Sequence, residues 1–152
     1  MRPILEYCSP VWNPYLIGDI LRLERVQRYF TRRLLIRTGQ APLFYQNRLS
    51  HFELESLQLR RLKTDLVYYY KILNEHIPLD PNVFFTQRTA SKTRGHARKP
   101  FVLDMRIDVH KFSFACHAVK KWNSLPHDVI LAPSLASFRR RLDHCLSEFT
   151  FD

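Results

Sequence analysis

Residues 54–77, LESLQLRRLKTDLVYYYKILNEHI, set the terms for the rest of this chain. Leu59, Leu62, Leu66, Tyr70, Leu73 and Ile77 recur at steps of three and four residues, which is one face of an α-helix. Tyr68, Tyr69 and Ile72 widen that face, while Arg60, Thr64, Val67, Lys71 and Asn74 fall mostly on the other side. A face so broad must be covered by several partners, so the helix is expected to be central. Ser56 is placed to cap its N-terminus, and Pro78 stops it beyond Ile77.

Other amphipathic segments supply the partners. Tyr15–Arg37 reads as a long helix with Leu16, Ile20, Leu23, Phe30 and Leu34 as its apolar stripe. Gly39 and Pro42 end it. Leu43–Phe52 reads as a short helix packing Phe44, Leu49 and Phe52, with His51 at the core edge. In His110–Trp122, Phe112, Ala115, Val119 and Trp122 return to helical spacing, and Trp122 with Leu125 anchors the turn that Pro126 closes. Trp122 is expected to be a packing anchor rather than a stacking platform for a base. Pro133 and Ser134 open a last helix, Ser134 as N-cap, with Leu135, Phe138, Leu142 and Leu146 as its stripe. The fold expected is mainly α, a small bundle of about four to five helices with a basic arm over 82–100 and a short β segment over Phe101–Val109. The whole, 1–152, is read as one domain.

Hydrophobic residues make up 45% of the chain, enough for a packed core, and the formal charge is +10. So basic a balance points to nucleic acid or another polyanion as partner. Only three glycines disfavour glycine-rich phosphate loops. Cys8, Cys116 and Cys145 form no CxxC pair and suggest a reduced protein of the nucleus or cytoplasm. No apolar run approaches the roughly 18 residues of a membrane span, so no membrane partner is expected.

The cations are not spread evenly. Arg25, Arg28 and Arg32 share a second stripe on the long helix, roughly 160° from the apolar one. Arg88, Lys92, Arg94, Arg98 and Lys99 lie in a stretch with no acid between Asp80 and Asp104, among Thr86, Thr89, Ser91 and Thr93. Cations accompanied by hydroxyl donors suit phosphate contact better than a plain linker. Arg139, Arg140 and Arg141 make a further basic group. No catalytic constellation is present: there is no Asp-Asp pair, GxSxG, Walker loop, HExxH or GxGxxG. His110, Cys116 and His117 with His144 and Cys145 are the best metal set, but adjacent Cys116 and His117 point about 100° apart on a helix and can hardly share one ion. Neither catalytic residues nor a cofactor are therefore expected in this chain.

In order, the stretches LEYCSPVWNPYL, IGDILRLERVQRYFTRRL, RLSHFELESLQLRRLKTDLVYYYKIL, TRGHARKPF, FSFACHAVKKWNSLP and LAPSLASFRRRLDHCL resemble the C-terminal region, beyond the polymerase core, of non-LTR (LINE-type, jockey-like) retrotransposon reverse transcriptases. Such proteins copy their element's RNA into DNA at a nicked target. The resemblance implies that the endonuclease and the metal-binding aspartates lie upstream, that Met1 is an internal methionine, and that no catalytic residue carries over to this chain.

Two functions follow as expectations. One is a non-catalytic region holding template RNA or target DNA by its backbone through the cations named above. The other is a helical interaction fragment that packs on a polymerase core, or a decayed remnant of one. The second rests on residues 1–14, whose Leu5, Tyr7, Val11 and Trp12 are large and apolar, expected to be buried, and read as the remnant of an upstream domain.

Overall fold

A computed structural model describes residues 2–81, 86–87, 100–101 and 114–147 of the 152-residue chain. Among the described residues there are eight helices: α1 (Arg2–Glu6), α2 (Ser9–Trp12), α3 (Ile17–Arg37), α4 (Tyr45–His51), α5 (Leu57–Leu73), α6 (Phe114–Asn123), α7 (His127–Ile130) and α8 (Leu135–Ser147). One two-stranded antiparallel sheet joins β1 (Thr86–Gln87) to β2 (Pro100–Phe101). The protein is thus mainly helical, as its periodicities require. The chain divides into two compact units, Met1–Arg61 and Leu62–Asp152, and the boundary falls within α5.

Helix ends follow local chemistry. The Ser56 hydroxyl accepts the Leu59 N–H at 3.2 Å, and that of Ser134 accepts the Ser137 N–H at 3.2 Å, so both expected caps form. α3 ends at Gly39, where φ is +66°. The Gly39 and Gln40 amides turn back to the Ile36 and Leu35 carbonyls, the paired bonds of a Schellman motif. α4 and α5 end the same way, but with glutamates in the left-handed position, Glu53 at φ +50° and Glu75 at φ +57°. The helix of residues 54–77 therefore stops at Leu73, ahead of Pro78, because His76 N–H already bonds the Lys71 carbonyl at 2.9 Å.

In the first unit, α3 buries a face that the apolar pattern did not indicate. Leu16 and Phe30 are exposed, and the buried residues are Glu24, Gln27, Thr31 and Leu35. Polar groups can face inward there because each has a partner. Glu24 accepts the N–H of Leu57 at 3.1 Å and the hydroxyl of Tyr45, Gln27 donates to the Glu55 carbonyl at 2.8 Å, and the Thr31 hydroxyl bonds the Gln27 carbonyl at 2.9 Å. Leu49 of α4 is buried, but Phe44 precedes the helix in extended conformation and is exposed, and His51 is exposed as well.

Residues 1–14 also differ from expectation. Ile4, Tyr7 and Val11 step by three and four and face outward, 81%, 78% and 86% exposed. Polar ties hold the segment instead: Glu6 pairs with Arg60 at 2.7 Å and Asn13 Oδ1 accepts from Arg61 Nε at 3.1 Å.

In the second unit, Trp122 is buried as the anchor expected, its ring 4.7 Å from Tyr69 and 5.8 Å from Phe138. Tyr70 stacks on Phe138 at 4.4 Å and donates its hydroxyl to the Ala132 carbonyl at 2.8 Å. Leu142, Leu146, Val129 and Ile130 complete this core. Tyr68, expected to widen the buried face of α5, is instead exposed, with Lys71 over its ring at 5.6 Å. β1 and β2 set Thr86 opposite Phe101 and Gln87 opposite Pro100, which brings the two ends of the expected arm together. Of the strand expected over Phe101–Val109, residues 102–109 lie outside the described residues.

Candidate nucleic-acid interface

α3 runs for 21 residues, and its Arg25, Arg28 and Arg32 recur at steps of three and four. They therefore project from one side over about 10 Å of helix. All three line a single groove of about 570 Å³ in the first unit. Its other walls come from Tyr29, Leu35 and Ile36 of α3, from Gln40, Pro42 and Leu43 of the connection after it, and from Arg48 of α4. Four guanidinium groups thus meet in one concavity, and among the described residues no carboxylate lines it.

Two of these cations are held in place. The Arg28 guanidinium lies 4.7 Å from the centre of the Tyr45 ring and that of Arg48 5.5 Å, within cation–π range. Arg48 also donates to the Leu43 carbonyl at 2.5 Å and to the Thr31 hydroxyl at 3.3 Å. Tyr45 is fixed in turn by its bond to buried Glu24. Burial, then the hydrogen bond to that carboxylate, push the Tyr45 hydroxyl far above its ordinary pKa, so it stays protonated. Arg25 and Arg32 are exposed and make no ion pair among the described residues. The site therefore combines two positioned guanidiniums with two that can swing to meet an anion.

The second basic group is not gathered in this way. Successive residues of a helix point about 100° apart, so Arg139, Arg140 and Arg141 diverge. Arg139 lines a smaller groove of about 260 Å³ with Lys63, Lys71, Tyr68 and Asp143, where Lys63 already pairs with Asp143 at 2.7 Å. Arg140 is exposed outside that groove, and Arg141 donates to the Asp128 carbonyl. Arg88, Lys92, Arg94, Arg98 and Lys99 lie outside the described residues.

The sequence pattern found the α3 arginines but missed Arg48, Tyr29 and the Glu24–Tyr45 support. Arg48 joins them from another helix, and no periodicity links it to α3. Tyr29 was visible only as an aromatic set between Arg28 and Arg32. Among the described residues no helix is long and apolar enough to cross a membrane. No family model matches the chain, and no curated protein or solved structure was found that resembles it.

Proposed function

We propose that this chain is a non-catalytic nucleic-acid-binding region that holds RNA or DNA through the phosphate backbone. The observation that carries the reading is the groove where Arg25, Arg28, Arg32 and Arg48 converge with no acid among the described lining residues. Guanidinium groups are the natural partners of phosphate, and backbone contact of this kind supplies affinity without sequence readout. The order of motifs that resembles the C-terminal region of non-LTR retrotransposon reverse transcriptases supports the same reading, and in that setting the bound strand is template RNA or target DNA.

The test is binding of labelled oligonucleotides by fluorescence anisotropy across a salt series. Four phosphate contacts predict a slope of log K against log salt of roughly −3 for a single strand. Replacing Arg25 and Arg32 by Gln should flatten that slope by about 1.4. A slope near zero, or one unmoved by the double substitution, would refute phosphate contact at this groove.

A second reading has its own support. Ile4, Tyr7 and Val11 form an exposed apolar surface in the first unit, of the sort that partner proteins cover. In the retrotransposon setting that partner is the polymerase core. Replacing Tyr7 and Val11 by Ser should then abolish association with a polymerase fragment while leaving oligonucleotide affinity unchanged.

A further inference from the structure

The groove that carries the proposed function is not a purely ionic surface. Beside its guanidiniums it presents Tyr29, Ile36, Pro42 and Leu43, with Leu35 buried behind them. Tyr29 is 59% exposed and Ile36 63%, so this apolar surface is open to a ligand. Arg33, which does not line the groove, lies over the Tyr29 ring at 5.2 Å and steadies it from outside. Tyr29 is thus an accessible ring held beside the Arg25, Arg28 and Arg32 row on the same helix.

A duplex does not match such a surface. Its bases are stacked inside, and what it offers a protein's basic surface is phosphate and sugar. The tyrosine and the aliphatic walls would then lose water without gaining a partner. An unpaired strand offers both chemistries together, with phosphates for the arginines and an open base face for the ring. We therefore propose that the groove takes single-stranded nucleic acid, with one base stacked on Tyr29 and the flanking phosphates on Arg25, Arg28 and Arg32. This rests on the nucleic-acid reading above and narrows its ligand to unpaired strands. Charge favours an acidic peptide as much as a strand, and only the Tyr29 ring separates the two, so that alternative is an arm of the test.

The experiment uses the full chain and three probes: labelled dT12, a 12-base-pair duplex of mixed sequence, and a polyglutamate peptide of equal charge. Variants are Tyr29→Ala, Tyr29→Phe and the double Arg25→Gln/Arg32→Gln. With its ring more than half exposed, Tyr29→Ala should leave the thermal midpoint in place. It should weaken dT12 by about 5- to 150-fold, the range for removing one base–aromatic stack, and leave duplex affinity within about twofold. Tyr29→Phe keeps the stacking face and should bind dT12 as the parent does. Equal losses for dT12 and duplex, or none for dT12, would overturn the single-strand assignment. If the arginine double then still weakened the duplex, the broader reading would stand without it. Polyglutamate binding as tightly as dT12 and weakened by Tyr29→Ala would overturn it in favour of a protein ligand. Binding of none of the probes at low salt would overturn both proposals.

Discussion

Replacing Glu24 tests how the first unit is held together. This buried carboxylate accepts the Leu57 N–H, at 3.1 and 3.3 Å to its two oxygens, and the Tyr45 hydroxyl. Leu57 is the first residue of α5, so its amide is one of those a helix cannot satisfy internally. A negative charge there also favours the positive end of the helix dipole. Hydrogen bonds to a charged group are worth about 1.5–3 kcal/mol each. Glu24→Ala removes two and leaves the fully buried Leu57 amide without its acceptor, so a loss of about 3–6 kcal/mol is expected. Against a total stability of roughly 5–15 kcal/mol, that is a large share. Tyr45→Phe breaks only the phenol bond and should cost about 1.5–2 kcal/mol. Urea unfolding followed by far-UV circular dichroism gives both values, and amide exchange at Leu57 reads the site itself. The Leu57 amide should lose protection by a hundredfold or more in Glu24→Ala, the equivalent of about 3 kcal/mol. Combining Tyr45→Phe with Glu24→Ala should cost little more than Glu24→Ala, because the phenol has already lost its acceptor. Strict additivity of the two substitutions, or a loss below 1 kcal/mol for Glu24→Ala, would show that this carboxylate does not organise the start of α5.

Three further outcomes are expected. Trp122→Ala empties the aromatic core of the second unit and should cost about 3–5 kcal/mol, measured as a shift in urea midpoint. Glu75→Gly relieves a left-handed glutamate at a Schellman turn and should stabilise by about 0.5–1 kcal/mol, while Glu75→Val should destabilise; thermal midpoints distinguish them. Burial raises the Tyr69 hydroxyl, and burial with the Glu24 bond raises that of Tyr45. The unfolded chain therefore releases these protons first, near pH 10, so stability is full below that pH and falls as pH rises beyond it, by up to about 1.4 kcal/mol per pH unit for each group. Tyr45→Phe and Tyr69→Phe should each shallow that alkaline slope in urea titrations between pH 9 and 11.

Most helices were legible in the sequence because their packing partners are apolar and recur at helical spacing. In the stripe of α8, Phe138, Leu142 and Leu146 are buried and Leu135 is half-buried, and Leu59, Leu62, Leu66 and Tyr70 of α5 are buried. Caps at Ser56 and Ser134 were readable because capping is a contact between residues three apart. α7 gave no comparable signal: at four residues it is too short for periodicity to register. The inward face of α3 was misread for a different reason. Its buried residues include Glu24 and Gln27, which hydropathy assigns to solvent, and only distant partners at Tyr45, Glu55 and Leu57 make their burial tolerable.

The same division holds for the candidate site. Helical spacing by itself determined that Arg25, Arg28 and Arg32 share one side of one helix, since that follows from 3.6 residues per turn. The mainly helical architecture and the basic charge were likewise determined by residue type and order. The nearness of Tyr29 to Arg25 and Arg32, and the divergence of Arg139, Arg140 and Arg141, follow from the same helical spacing. Only tertiary structure decided that Arg48, from another helix, joins the α3 arginines in one groove. Spacing describes neighbours along a helix, but a concavity exists only where separate elements meet. Their meeting here depends on hydrogen bonds between residues 21 and 33 positions apart, such as Glu24 to Tyr45 and to Leu57.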